Sequence, residues 1–177
     1  MKAQGVAGRP AKSPSPAAPK ELREGQHSIK IRKILVPTDF SPASRKSLSY
    51  ALRLAEGLNC EITLLHVLEP ATPLTSPRVP GAAFSKEELA DAEQGLYGLV
   101  NSAKAAGGPG TKSMLRMGVA THEILEAAKK LDVDLIVIAT HGFTGWKHFA
   151  IGSTAERVAR AATCPVLVVR EKEHDFI

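Results

Sequence analysis

Short apolar runs alternate with amphipathic stretches along most of this chain. Runs of this length are typical of strands in a parallel sheet that helices cover on both faces. In the stretches between them, apolar residues recur three and four positions apart, as on the inward side of a helix. The pattern predicts five strands, over residues 31–36, 61–67, 112–117, 135–139 and 165–169.

The intervening stretches predict four helices, and small residues mark their ends. Ser41 is a suitable N-cap for the first helix, with Pro42 at its first helical position, and Gly57 is expected to end it. Gly95 and Gly98 weaken the second helix, so we expect a bend or fraying there. The predicted helices span residues 42–57, 84–106, 118–131 and 154–162.

Strands and helices alternate throughout, and no hairpin signal interrupts them. This order predicts an α/β fold, a three-layer α-β-α sandwich around a five-stranded parallel sheet, which is Rossmann-like. A ligand is expected outside the carboxyl ends of the strands, where the strand order reverses. If the first and fourth strands are neighbours at that reversal, the loops that follow them converge on one site.

The two ends of the chain differ in composition from the rest. Residues 1–28 are rich in Pro, Ala, Ser and Gly and have few large apolar side chains, which predicts a disordered tail. Residues 29–172 form the predicted domain, and 173–177 are expected to be flexible. The tail carries five Lys or Arg and two Glu, so it accounts for +3 of the net charge of +5. The domain is therefore nearly neutral, and we expect no nucleic-acid partner.

Compartment and metal content follow from a few residues. Cys60 and Cys164, each just before a strand, are expected to be free thiols in a reducing compartment. No apolar run reaches the roughly 18 residues of a membrane span, and no secretory signal is evident, so a cytoplasmic protein without a membrane partner is expected. The histidines lack metal-ligand spacing, and His66 is predicted to be a packed, hydrogen-bonded side chain.

Glycines connect the fourth strand to the last helix. Gly142, Gly152, Ser153 and Thr154 lie between them or open the helix. Glycine lets a ligand approach the backbone, and first-turn N–H groups lack partners within the helix, so the stretch is suited to phosphate. The alternative is that Gly152 and Ser153 simply end a loop and cap the helix.

Several motifs together resemble one family. These are K-I-L-V-P-T-D-F-S at the first strand, L-L-H-V at the second, and T-H-G, G-S-T-A-E-R-V and C-P-V-L-V-V near the end. From residue 31 to 170, the chain resembles the universal stress protein family. The resemblance implies a five-stranded parallel sheet, a homodimer, and ATP held by a loop of the form G-x2-G-x9-G-[ST], with Mg²⁺ or Mn²⁺ accompanying the nucleotide.

The resemblance also implies a role for each site residue. Pro37, Thr38 and Asp39 would line the adenosine end, where Asp39 would accept hydrogen bonds from ribose hydroxyls or help to hold the divalent ion. Val67 would pack on the base, and Ile138 and Ala139 would flank the nucleotide from the other side. The phosphate cradle would consist of Gly142, Gly152, Ser153 and Thr154.

The sequence departs from the family loop at one position. Gly142 and Gly152 have the required spacing, but the first glycine of the pattern falls on Ala139. An extended alanine costs little, whereas a positive φ or close contact with phosphate at this position would conflict with its methyl group.

Three functions fit these observations. The first is a stress-response sensor that binds ATP without strong turnover. The second is a nucleotide-free scaffold dimer in which Ala139 marks a lost site, and the third is a slow ATPase. Neither a G-x-x-x-x-G-K-[ST] loop nor a G-x-G-x-x-G fingerprint is present, so at most slow hydrolysis is expected.

The last strand predicts the dimer contact. Val166–Val169 is apolar and should lie at an edge of the sheet, where an unpaired strand invites aggregation. We therefore expect two copies of this strand to pair antiparallel across a two-fold axis.

Overall fold

The computed structural model describes residues 30–70, 83–108, 110–140 and 152–170 of the 177-residue chain. The predictions for residues 1–28, for 173–177 and for Gly142 lie outside the described residues.

Strands and helices alternate in the predicted order, and most boundaries agree with the prediction to within two residues. The strands are β1 (Lys33–Pro37), β2 (Glu61–Leu68), β3 (Lys112–Met117), β4 (Leu135–Ala139) and β5 (Val166–Val169). The helices are α1 (Pro42–Leu58), α2 (Lys86–Ala105), α3 (Ala120–Leu131) and α4 (Ser153–Ala161).

Specific residues cap both ends of α1. Ser41 is the N-cap and its side chain accepts from the Ser44 N–H, with Pro42 in the first turn, as predicted. The predicted end at Gly57 is wrong, since the helix continues to Leu58. Asn59 ends it with a φ of 54°, a left-handed conformation that asparagine tolerates well.

The predicted fraying of α2 at Gly95 and Gly98 is also wrong. This helix runs without a break from Lys86 to Ala105, through both Gly95 and Gly98. Ser85 forms a capping box with Glu88, which satisfies backbone donors at the first turn.

All four strand pairings are parallel, and the strand order is β3-β2-β1-β4-β5. β1 and β4 are therefore the neighbours at the point where the order reverses, as the sequence predicted. β3 and β5 form the two edges.

Successive strand residues point to opposite faces of the sheet, so the protein has two cores. One lies between the sheet and helices α1 and α2, and the other between the sheet and helices α3 and α4. The first contains Ile34, Leu48, Leu64, Leu96 and Val137, and the second contains Leu35, Leu65, Ile124, Ile136 and Val158. This is the predicted three-layer α/β sandwich.

Candidate functional site

The chain turns sharply away from the sheet just after β1. The Thr38 N–H still bonds to the Leu65 carbonyl at 2.8 Å, as in a continuing ladder. Phe40 then has a φ of 65°, and its N–H donates to Thr38 Oγ1 at 3.1 Å. The Asp39 carboxylate accepts from the Ser41 N–H at 3.1 Å, which fixes the turn just before α1.

His66 holds this turn from β2. Its Nδ1 is 2.8 Å from the Thr38 carbonyl oxygen and donates to it, because a carbonyl can only accept. The imidazole also packs on the Phe40 ring, with centroids 4.4 Å apart. The predicted packed, hydrogen-bonded histidine is confirmed, and it serves to position the Thr38–Asp39–Phe40 turn.

Because β1 turns away, part of β2 faces a gap. Pairing of β1 with β2 ends at Pro37 and Leu65. Backbone groups alternate sides along a strand, so those of Val67 point to the same side as those of Leu65, towards the place that β1 has left. If β1 continued, its Thr38 carbonyl and Phe40 N–H would pair with Val67, but they bond to His66 and to Thr38 Oγ1 instead.

The start of α4 lies beside the end of β4. The Gly152 N–H donates to the Thr140 carbonyl at 2.6 Å, and Thr140 is itself tied to Val169 of β5. Gly152 is the N-cap, and within the described part of the chain no side chain caps the first turn of α4. The backbone N–H groups that begin at Ser153 are therefore positioned to bind an anion.

These features surround one cleft at the carboxyl edge of the sheet. Its volume is about 310 Å³, within the range of small-molecule sites. The described residues that line it are Pro37, Thr38, Asp39, Ser44, Leu65, Val67, Glu69, Ala120, Ile124, Ile138, Ala139, Thr140, Gly152, Ser153, Thr154 and Ala155.

The cleft brings together all the described members of the predicted site. They are Pro37, Thr38, Asp39, Val67, Ile138, Ala139, Gly152, Ser153 and Thr154. Sequence reasoning missed seven lining residues, among them Glu69 and Ala120. Ser44, Leu65, Ile124 and Ala155 form the floor beside the core, and Thr140 follows β4 directly.

Ala139 is the last residue of β4 and pairs with Val169. Its backbone is extended because it belongs to the strand. Ala139 is not among the positive-φ residues of the described chain, which apart from glycine are Phe40, Asn59 and Asp132. The methyl group therefore causes no backbone strain at the position where the family pattern has glycine.

Groups with shifted pKa values lie at the opposite, amino-terminal end of the sheet. Hydrogen bonds from the backbone N–H groups of Arg32 and Lys33 lower the pKa of Asp134. Burial raises the pKa of the Cys60 and Cys164 thiols, and both cysteines are free, as expected. A raised thiol pKa reduces the reactive thiolate fraction.

Within the described ranges, no group of three or more His, Cys, Asp or Glu side chains could hold a metal ion. The predicted contact of Asp39 with a divalent ion therefore stays a prediction. A membrane-spanning helix is not found among the helices that the structure describes.

Comparison with known proteins identifies the family. The model of the universal stress protein family matches residues 30–170. The chain belongs to the universal stress protein family. It is 35% identical over 156 residues to universal stress protein MJ0531 of Methanocaldococcus jannaschii, covering 87% of this chain and 89% of the relative. It is also 35% identical over 148 residues to universal stress protein YxiE of Bacillus subtilis, covering 79% and 99%.

Solved universal stress proteins share the fold. The universal stress protein UspA from Lactobacillus plantarum superposes with a TM-score of 0.68 at 25% identity, covering 81% of this chain and all of that one. A universal stress protein solved in complex with cAMP has a TM-score of 0.62 at 23% identity, covering 79% of this chain and 97% of that one. The predicted family and the predicted five-stranded parallel fold are both confirmed.

Proposed function

We propose that this universal stress protein binds ATP in the cleft between the carboxyl ends of β1, β2 and β4 and acts as a cytoplasmic stress-response sensor. The observation that carries the proposal is that one cleft joins the edge of β2 at Val67, where the pairing with β1 has ended, to the start of α4. The first can bind a base, and the second can bind phosphate. Two solved family members are described in complex with cAMP and dAMP, which supports an adenine nucleotide as the ligand class.

The base end is at Val67. Its N–H and C=O face the gap beside β2, and they are spaced as a donor and an acceptor along one strand edge. Adenine presents a ring-nitrogen acceptor next to an amino donor, which is the complementary pair. The side chains of Val67 and Ile138 provide apolar walls for the ring.

The phosphate end is at the start of α4. N–H groups of the first turn and the Ser153 and Thr154 hydroxyls would hold the phosphate oxygens, aided by the helix dipole. Gly142 is proposed to complete the cradle. Between the two ends, Pro37 and Thr38 would line the ribose. Asp39 would accept a hydrogen bond from a ribose hydroxyl or help to hold the Mg²⁺ or Mn²⁺ ion that the phosphates bind.

A binding role fits this cleft better than rapid phosphoryl transfer does. Among the described lining residues, the charged ones are Asp39 and Glu69, and none is Lys or Arg. Phosphoryl transfer depends on neutralising charge in the transition state. We therefore propose a sensor with at most slow hydrolysis.

The proposed assembly is a homodimer through β5. This strand is at the edge of the sheet, and three of its four residues are only half-buried. Pairing Val166–Val169 with the same strand of a second copy would cover apolar side chains and satisfy the edge backbone.

A variant at the first residue of α4 tests the phosphate site. Proline is favoured at this position, and Gly152 before it has a φ of −58° and ψ of 146°, which a following proline accepts. Ser153→Pro should therefore keep the fold while it removes one N–H and one hydroxyl from the cradle. We expect ATP binding, measured by calorimetry, to weaken about tenfold or more.

Two comparisons make the test specific. Ser153→Ala removes the hydroxyl alone and should weaken ATP binding less. Adenosine, which has no phosphate, should bind equally to all three proteins. Equal ATP affinity for the wild type and Ser153→Pro would show that the N–H and hydroxyl of Ser153 do not bind the phosphates.

A further inference from the structure

Glu69 is the first residue after β2, and this exposed residue lines the cleft without a role in the site described so far. It lies two positions after Val67 and four after Leu65, so its side chain leaves the chain on the same face of the sheet as theirs. All three residues line the cleft.

The Glu69 carboxylate is held in a defined place. Its Oε1 accepts from the backbone N–H of Ala120, the first residue of α3, at 2.7 Å. Val119, the N-cap of this helix, makes no side-chain capping bond. Glu69 therefore takes the capping position at the start of α3, where the helix dipole favours a negative charge, and Ala120 lines the same cleft.

The direction of β2 relates this carboxylate to the proposed base. Within a residue, the C=O lies on the carboxyl side of the N–H, so the Val67 carbonyl is nearer to Glu69 than the Val67 N–H is. A base that accepts from the N–H and donates to the carbonyl thus turns its donor group towards Glu69. In adenine that donor is the 6-amino group, which has a second hydrogen left after bonding to the carbonyl.

We infer that Glu69 is a specificity-determining residue that selects 6-aminopurine nucleotides over 6-oxopurine nucleotides in this cleft; the inference rests on the proposed function. The carboxylate offers an acceptor to the second amino hydrogen. A 6-oxo group has only lone pairs there, so it would face the acceptor oxygens of Glu69 and Val67 without a proton between them. Sites built for a hydrogen bond reject analogues that cannot make it.

The position of Glu69 also distinguishes the two helix starts in the cleft. Glu69 occupies the start of α3, whereas no described side chain caps the start of α4. An anionic group is therefore repelled from the α3 end and accepted at the α4 end. This fixes the orientation of the nucleotide, with its base beside α3 and its phosphates beside α4.

The test compares ATP with inosine triphosphate, which carries a 6-oxo group in place of the 6-amino group and the same ribose and triphosphate. Both are titrated calorimetrically into the wild type and into Glu69→Gln. The glutamine keeps an oxygen that can cap α3, and its amide can also donate to a 6-oxo group. We expect the wild type to prefer ATP, and the ratio of the two affinities to fall about tenfold in Glu69→Gln, or about 1.4 kcal/mol.

Glu123→Gln is the matched control. It also removes a carboxylate from the first turn of α3, but that carboxylate pairs with Arg116 at 3.0 Å and does not line the cleft. The ratio of ATP affinity to inosine triphosphate affinity in Glu123→Gln should equal that of the wild type. A change of the ratio in Glu69→Gln alone would then not be a general effect of losing a carboxylate near the start of α3.

The possible outcomes distinguish a failure of the inference about Glu69 from a failure of the proposed ATP binding. If the wild type binds ATP and the ratio is unchanged in Glu69→Gln, the specificity role of Glu69 is wrong while ATP binding stands. If the wild type binds neither nucleotide, the proposed function itself fails, and the inference fails with it.

Discussion

Phe40 has a positive φ of 65°, which few residues other than glycine adopt, and it lies directly beside the cleft. Three contacts hold it there, besides the hydrogen bond from its N–H to Thr38 Oγ1. Its carbonyl accepts from Arg45 Nε at 3.2 Å, its ring packs on His66, and its ring edge lies against Gly95 of α2. The strained turn removes β1 from the side of β2 and leaves the Val67 edge open, so a local cost at one residue creates the base end of the cleft.

Gly95 and Gly98 provide a matched pair that tests this packing. A Cβ at Gly95 would lie 2.9 Å from the Phe40 ring, whereas a Cβ at Gly98 would meet nothing within 4 Å. Gly98→Ala should stabilise the protein by about 0.5–1 kcal/mol, because alanine favours the helix. Gly95→Ala should instead destabilise it by about 1–2 kcal/mol, since the ring has to move. Urea unfolding of both variants measures the two effects, and equal stabilisation would show that Phe40 is not packed as described.

Asp134 gives a prediction about pH. Its carboxylate accepts from the backbone N–H groups of Arg32 at 2.8 Å and Lys33 at 3.0 Å, which ties the start of β4 to the start of β1. These bonds lower the pKa of Asp134 below its ordinary value of 3.8. The carboxylate therefore contributes stability above about pH 4, and the contribution is lost as the pH falls through the lower pKa of the folded state.

Asp134→Asn isolates that contribution. Asp134 is only partly buried, so we expect a loss of about 1 kcal/mol or less at pH 7. The difference in unfolding free energy between wild type and variant should shrink as the pH falls from 5 to 2. Urea unfolding across this range tests it, and a difference that stays constant with pH would contradict the assignment.

At the scale of elements, the local sequence pattern was sufficient to predict the strands and most helix ends. Buried runs such as Leu135–Ala139 and the Ser41-Pro42 helix start are determined by neighbours in sequence, and the structure has them where they were predicted. Two glycine predictions failed for a physical reason. Gly57 and Gly98 each lower the helix propensity by about 1 kcal/mol relative to alanine, but the packing of each helix on the sheet outweighs this cost.

The edge strand β5 makes the proposed dimer testable. The Pro165 carbonyl accepts from the Ile136 N–H of β4, and the Val169 carbonyl accepts from the Thr140 N–H just after β4. The backbone groups of Val166 and Val168 therefore point outward from the sheet. Proline is tolerated in an edge strand when it removes an outward N–H. Val168→Pro should therefore keep β5 paired with β4 and prevent pairing with a second copy.

Sedimentation of the wild type and Val168→Pro tests this prediction. We expect a dimer for the wild type and a monomer with unchanged far-ultraviolet circular dichroism for the variant. Leu167→Pro is the comparison, because its N–H points towards β4 and its loss should reduce stability as well. A folded Val168→Pro variant that remains dimeric would exclude β5 as the interface.

At the scale of the whole molecule, parallel topology explains why so much of the site was predictable. Pro37, Val67 and Ala139 each lie at or near the carboxyl end of a strand, and a parallel sheet brings such residues to one edge. The contact of Glu69 with Ala120 was not predictable in this way. It joins residues 51 positions apart, one after a strand and one at a helix start that carries no recognisable capping residue.

The most direct test of the proposed function is a calorimetric titration of the full-length wild-type protein with ATP and Mg²⁺, with Ala139→Gly in parallel. Because Ala139 is extended and unstrained, we predict that the wild type binds one ATP per chain and that Ala139→Gly binds with similar affinity. No binding by the wild type, with binding restored in Ala139→Gly, would contradict the proposal. In that case the alanine methyl closes the site, and the protein is a nucleotide-free scaffold.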